Sequence, residues 1–273
     1  MGPIRYIFPL FVLAMWATCG FGAASGQWTS VHWLMLAVSF LGCAIIFVQF
    51  AWVFSYGYAI SMVLANGVAM AVRPEPAVLL VGSIGMAYGL RLGWFVWARF
   101  SSRGYAAIRE RGEKGDAAVP LPLRLFMWVC CSWLMAFVAM PAWVAGEPAV
   151  PSLGVYAGAA IAVVGLVLEA IADQQKQSAK AARPGSFVTT GLYARMRHPN
   201  YLGEILFQLG LIVVGASAAG SAFTLAAGVL GPLYIVILMV YAARDQDEQQ
   251  LARYGSDGSY REYRERSGSL LPG

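Results

Sequence analysis

Residues 191 to 204 read Gly191-Leu-Tyr-Ala-Arg-Met-Arg-His-Pro-Asn-Tyr-Leu-Gly-Glu204 and lead into an apolar run. Pro199 suits the first turn of a helix, where its missing backbone donor is not needed. Asn200 and Glu204, four residues apart, then share one face of that helix. Arg195, Arg197 and His198 stand just before the helix start, where free backbone N–H groups also favour an anion. One short stretch thus supplies positive groups for phosphates and an Asn/Glu pair for an amide or a ribose. A plain turn into a membrane explains the proline and one arginine. It does not explain a glutamate drawn into the apolar run behind them.

Other ionisable residues sit where an apolar span should not tolerate them, and such groups are candidates for function. Arg91 lies within one run, with Tyr88 about one turn before it. Glu169 and Asp173 close another run. With Gln177 and Lys180 they recur at i, i+4, i+8 and i+11, along one face of a helix that continues past the apolar residues. A helix leaving a membrane would present such a ladder to solvent, and Tyr88 is one of thirteen tyrosines. Both readings stay open at this point.

The elements that must position these residues follow from composition. Of 273 residues, 59% are hydrophobic and only 12% charged. A water-soluble domain of this length needs more charge to cover its surface. Each bilayer crossing takes about 20 apolar residues. Runs of that kind occupy Ile4–Ala24, Val31–Ser55, Gly57–Val72, Pro76–Phe100, Leu123–Gly146, Ser152–Asp173, Tyr201–Ala219 and Ser221–Ala243. The third is short and follows its neighbour with almost no loop. The runs are continuously apolar rather than alternating, which predicts helices. The expected fold is all-α: a polytopic integral membrane bundle of seven or eight transmembrane helices, forming a single transmembrane domain over 1–273. The first run, with Arg5 near its start, reads as a retained helix rather than a cleaved signal.

Charge orients the bundle. Basic residues cluster at Arg99–Arg124, at Lys176–Arg197 and from Arg244 to Arg266, while the connections near Glu147 and Gly220 lack Lys and Arg. Counting one crossing per run puts the three clusters on one side, which the positive-inside tendency makes cytoplasmic. The net charge of +5 is met by anionic headgroups, so no nucleic acid is implied. Arginine outnumbers lysine and alanine is abundant, which leans toward a bacterial inner membrane. Cys19, Cys43, Cys130 and Cys131 all fall within apolar runs, and His32 and His198 are the only histidines. Buried thiols, and no metal site, are expected. No GxGxxG joins a strand to a helix, so a bound dinucleotide would sit in the helical bundle.

The stretch Arg197-His-Pro-Asn-Tyr-Leu-Gly-Glu204 resembles the signature of the steroid 5-alpha-reductase superfamily. Glu169-Ala-Ile-Ala-Asp-Gln-Gln-Lys176, Tyr88-Gly-Leu-Arg-Leu-Gly-Trp94, Arg103-Gly104 and Tyr105-Ala-Ala-Ile-Arg-Glu-Arg111 are similar to its bacterial branch. The resemblance covers roughly residues 80 to 273, as a reductase-like catalytic and cofactor-binding region. It implies NADPH held beneath the cytoplasmic loops and a lipophilic, steroid-like substrate entering from the membrane. By the resemblance, Asp173, Asn200 and Glu204 correspond to cofactor-contacting positions, and Arg103 and Arg244 are expected beside them; Glu169, Lys180, Arg195, Arg197, His198 and Tyr201, in the same segments, are expected at the cofactor site as well. Tyr88, supported by Arg91, would face the substrate carbonyl. The implied reaction reduces a carbon–carbon double bond conjugated to a ketone.

Eukaryotic steroid reductases pair that tyrosine with a Gln-Glu on an earlier helix. Here Gln49 to Ser61 holds no acid; apart from Trp52, its hydrogen-bonding side chains are Gln49, Ser55, Tyr56, Tyr58 and Ser61. The looser resemblance is to isoprenylcysteine carboxyl methyltransferases and phospholipid methyltransferases, which share an Arg-His-Pro-x-Tyr turn and carry a Glu-Glu-x-x-Leu tail. Asp247-Glu-Gln-Gln-Leu251 is similar to that tail. The alternative is therefore an S-adenosylmethionine-dependent membrane methyltransferase, with Arg197, His198, Glu204 and Glu248 around its cofactor.

Overall fold

The computed structural model describes residues 4–101, 115, 116, 118–183 and 185–273. Arg103 and the Tyr105–Arg111 stretch lie outside the described residues. Among the described residues the chain forms nine α-helices and no strand beyond a single parallel bridge between Met196 and Gly268. They are α1 (Ile4–Ala24), α2 (Ser30–Cys43), α3 (Tyr56–Val72), α4 (Pro76–Ser101), α5 (Leu121–Val144), α6 (Leu153–Ala182), α7 (Pro199–Ala218), α8 (Ala222–Tyr254) and α9 (Gly258–Arg266). Seven of them, all but α3 and α9, lie in stretches long and apolar enough to cross a membrane. The all-helical, multi-span fold stands. Large apolar side chains such as Leu41 and Leu90 are 68% and 60% exposed. A hydrocarbon solvent makes that arrangement favourable.

The short third run is helical, but α3 has only 17 residues. At 1.5 Å per residue it reaches about 25 Å, short of a hydrocarbon core of about 30 Å.

The second run is not one helix. The expected span Val31–Ser55 breaks after Cys43 into two 3-10 turns, Ala44–Phe47 and Phe50–Phe54, with Gln49 extended between them. Residues distant in the chain hold the break open. Asp116 accepts a hydrogen bond from the Phe50 backbone N–H. Arg124 donates to the Ile46 carbonyl at 2.9 Å and pairs with Asp116 at 2.8 Å. These bonds satisfy backbone groups that a continuous helix would have paired internally.

The helices fold into two compact units, Met1–Ala160 with Gly210–Tyr234, and Ile161–Leu209 with Ile235–Gly273. Helices α6, α7 and α8 contribute residues to both.

In the first unit, α4 packs on α3 through Gly82, Gly85 and Gly89. A Cβ on Gly89 would meet the Ala59 carbonyl at 2.7 Å, and one on Gly85 would meet Asn66. Small residues permit such close approach, which is the main source of helix association in lipid. Tyr88, only 5% exposed, precedes the last of these glycines.

In the second unit the same device joins α6 to α7. Gly165 lies against the backbone of Gly203 and Phe207, and Gly203 lies against Glu169. Beyond α8, helix α9 buries Tyr260 and Tyr263. These pack with Phe187 and Tyr254 as an aromatic group, with centroid separations of 5.1 to 6.3 Å.

Candidate functional site

Helix α7 begins at Pro199, where the sequence pattern places it. Helix α6 carries the Glu169–Lys180 ladder as one continuous element. The Gly203–Glu169 contact brings the two helices together where both carry acids. Glu169, Asp173, His198, Glu204 and Gln208 are all buried in the second unit. Gln208, one turn along α7, donates from Nε2 to Glu204 Oε1 at 2.8 Å. The carboxyls are thus held among protein groups rather than presented to water. This excludes a merely solvated ladder for Glu169 and Asp173.

Tyr193, just before α7, joins the start of that helix to α9. Its hydroxyl donates to Asn200 Oδ1 at 3.3 Å, and its carbonyl accepts from the Tyr263 hydroxyl at 2.7 Å. Burial raises the Tyr193 pKa far above the ordinary phenol value, and the nearby Asp173 charge raises it further. The phenol is therefore a fixed donor.

Arg197 and His198 are placed differently from open anion receptors. Arg197 makes a forked pair with Asp247 of α8, Nε to Oδ1 at 2.7 Å and Nη2 to Oδ2 at 3.0 Å. Its Nη1 donates to the Ser267 carbonyl and to that of Arg264. His198 Nε2 lies 2.9 Å from the same Asp247 Oδ1. A carboxylate only accepts, so that ring nitrogen carries the hydrogen. The Tyr201 ring stacks on the imidazole, 5.4 Å between centroids and 12° from parallel. Burial holds the His198 pKa below its ordinary value, although the bond to Asp247 opposes this. Arg197 is held charged chiefly by its hydrogen bond to Asp247.

A cavity of about 300 Å³ opens in the same unit. Lys176 and Lys180 of α6, Arg197, and Arg253 of α8 supply positive charge. Gln246, Gln249 and Gln250 add amides, and Phe187, Val188, Tyr193, Tyr254 and Tyr263 complete the wall. The Lys180 ammonium also donates to the Ser186 carbonyl. Such a cavity is chemically suited to an anionic ligand with a flat ring.

Of the expected cofactor residues, Glu169, Asp173, Asn200 and Glu204 fall in the acidic group or beside Tyr193. Lys180 lines the cavity, and Arg197, which reaches the cavity wall, is also in the Asp247 clasp with His198 and Tyr201. Arg195 and Arg244 have exposed side chains; the Arg244 guanidinium stands 5.8 Å over the Tyr241 ring. Tyr88 and Arg91 belong to the first unit, on α4. Asp247, Tyr193, Arg253 and the three glutamines were not expected at the site. One signal was present for the last four. Gln246, Gln249, Gln250 and Arg253 recur at i, i+3, i+4 and i+7 beyond the apolar run, on one helical face. Among the described residues no three His, Cys, Asp or Glu side chains gather as metal ligands.

Fold and site define a polytopic, all-helical protein with an enclosed polar centre in its second unit. The chain belongs to the family described as protein of unknown function (DUF1295), whose sequence model matches residues 24–267. No curated protein and no solved structure matches it. The matched range contains the Glu169–Lys180 ladder, the Arg197–Glu204 segment, Asp247 and all residues of the cavity wall.

Proposed function

We propose that the chain is an NADPH-dependent membrane reductase of a carbon–carbon double bond conjugated to a ketone in a lipophilic, steroid-like substrate. The observation that carries this reading is the cation-lined cavity, whose wall residue Tyr193 bonds Asn200 and feels the Asp173 charge. Its size is at the lower end for small-molecule sites, matching the phosphorylated ribose end of a dinucleotide rather than the whole molecule. Lys176, Lys180 and Arg253 suit phosphate. Tyr254 and Phe187 give that wall an aromatic part suited to the adenine. Asn200, Glu169, Asp173 and Glu204 suit amide and hydroxyl groups. The same lining disfavours S-adenosylmethionine, whose sulfonium and ammonium outweigh its carboxylate. That comparison favours reductase over methyltransferase.

When bound, NADPH supplies the hydride to the β-carbon, and the α-carbon then takes a proton from solvent to complete the reduction. The protein's own task is to stabilise negative charge that develops on the substrate carbonyl oxygen. A neutral donor does this with a gain of roughly 3 kcal/mol. Tyr88 is the proposed donor, and Arg91 supports it electrostatically. The apolar helices exclude water. The basic clusters support a cytoplasmic cofactor side, and a bacterial inner membrane is the proposed location.

The test is a thermal scan of detergent-purified protein with NADPH, NADH and S-adenosylmethionine. A hundredfold excess over the dissociation constant should stabilise by about 2.7 kcal/mol. NADPH is expected to give the largest shift, and Lys180→Ala and Arg253→Ala should reduce its margin over NADH. A shift with S-adenosylmethionine alone would overturn the reductase reading in favour of the methyltransferase.

A further inference from the structure

The turn before α7 is held by more than its own sequence. Arg197 N–H donates to the Gly268 carbonyl at 2.9 Å, and His198 N–H to the Ser269 carbonyl at 3.0 Å. Gly268 N–H returns a bond to the Arg195 carbonyl at 3.1 Å. Residues 195–198 and 267–269 thus run as a short parallel pair, marked by the Met196–Gly268 bridge. Two backbone strands this short are marginal alone. Asp247 supplies what they lack. Its two oxygens take the Arg197 fork, and one of them also takes His198 Nε2. The side chains of Arg197 and Asp247 are only 9% and 13% exposed, so water screens the pair weakly. Arg197 in turn reaches the Ser267 carbonyl, which joins the carboxylate to the second strand.

We propose that Asp247 is the positioning residue of the ligand site: through Arg197 and His198 it fixes where α7 starts, and so where Asn200 and Glu204 stand. This rests on the reading that those two side chains receive the cofactor. Asp247 itself is absent from the cavity wall, whereas Arg197 reaches it. A planar guanidinium held at two points transmits position, and lysine cannot reproduce that fork. His198 and Arg197 immediately precede Pro199, so a shift in either displaces the first turn of α7 as a unit. Sites held loosely by about 1 Å lose much of their function. Arg197 and His198 thereby act mainly as struts, and phosphate recognition falls to the cations of α6 and to Arg253.

The experiment compares wild type, Asp247→Asn, Asp247→Glu and Arg197→Lys as full-length protein in detergent. Two quantities are read: amide hydrogen exchange across the chain, and NADPH affinity by fluorescence. Asp247→Asn and Arg197→Lys are expected to lose exchange protection over residues 195–204 and 267–270, with α1–α5 unchanged. NADPH affinity should fall at least about tenfold in both. Asp247→Glu, which keeps the charge on a longer arm, should recover part of each. Wild-type protection in Asp247→Asn would overturn the proposal. So would an affinity loss with protection intact, since Asp247 would then touch the ligand itself, or a loss of protection throughout the chain in both Asp247→Asn and Arg197→Lys. If wild type binds no NADPH, the reductase reading fails, and the exchange pattern alone still decides the role of Asp247.

Discussion

Gly203 of α7 lies so close to Glu169 of α6 that a methyl group on it would stand 2.5 Å from the Glu169 backbone nitrogen. That contact sets the spacing of two helices at the level where both carry buried carboxyls. The neighbour is backbone, which cannot rotate away as a side-chain tip can. Gly203→Ala should therefore push α6 and α7 apart, destabilising by about 1 to 3 kcal/mol and lowering NADPH affinity. A methyl group on Gly220 would meet nothing within 4 Å, so Gly220→Ala is the matched control and should melt near wild type. Thermal midpoints in detergent, with and without NADPH, provide the check. A Gly203→Ala protein that melts like the control would show that this close approach does not matter.

His198 gives the stability a dependence on acid. Burial holds its folded pKa below the ordinary value, so the folded ring stays neutral where an unfolded one would take a proton. As pH falls below about 6.5, the unfolded chain binds a proton that the folded chain refuses. Stability is lost in that window, with a limiting slope of about 1.4 kcal/mol per pH unit, until the lowered folded pKa is reached. Above pH 7 this contribution is constant. Thermal midpoints of wild type and His198→Gln from pH 7.5 to 5 are the measurement. The wild type should fall more steeply; parallel curves would mean that the folded imidazole protonates as readily as a free one.

Much of this was legible in the sequence, and what was not has a common physical cause. Pro199 announced the start of α7 because its chemistry is local. The Glu169–Lys180 spacing announced a continuing helix because a four-residue repeat needs no distant partner. Run composition could not reveal the break after Cys43, since Ala44–Phe54 is as apolar as what precedes it. The break is stabilised by Asp116 and Arg124, far along the chain. Likewise Arg197 looked like a free cation until folding brought Asp247, fifty positions away, into a forked pair with it. Local chemistry can be read along the chain, whereas the partner of a charge depends on packing.

Asn200 and Glu204 should affect cofactor binding more than folding. Asn200 accepts a hydrogen bond from Tyr193, and Glu204 accepts one from Gln208. Glu204→Gln preserves size and leaves an amide that can still pair with Gln208, so expression and detergent monodispersity should stay near wild type. The carboxyl is removed, and NADPH affinity should fall about tenfold, or about 1.4 kcal/mol. Asn200→Ala should do the same, with a small loss of stability from the Tyr193 hydroxyl of about 1 kcal/mol. Equilibrium binding on the purified variants decides it. Normal NADPH affinity in Glu204→Gln would remove that carboxyl from the cofactor site.

Tyr88 carries the sharpest prediction for the chemistry. Hydride addition to an enone leaves negative charge on the carbonyl oxygen, so a donor there should act on turnover more than on cofactor affinity. Tyr88→Phe removes one hydroxyl from a buried ring on α4 and keeps the ring, so packing beside Gly89 should hardly change. The expected loss of turnover is on the order of a hundredfold, about 2.7 kcal/mol, with NADPH affinity nearly unchanged. Two other tyrosines make the comparison discriminating, because the segment from Gln49 to Ser61 carries no acid to share the carbonyl. Tyr56 packs its ring against Trp52 and Phe100, at 5.4 and 6.3 Å, and Tyr58 follows in the first turn of the same α3. Single-turnover NADPH oxidation with a 3-oxo-4-ene steroid should therefore collapse in Tyr88→Phe and persist in Tyr56→Phe and Tyr58→Phe. Full activity in Tyr88→Phe, with loss in one of the other two, would move the donor from α4 to α3.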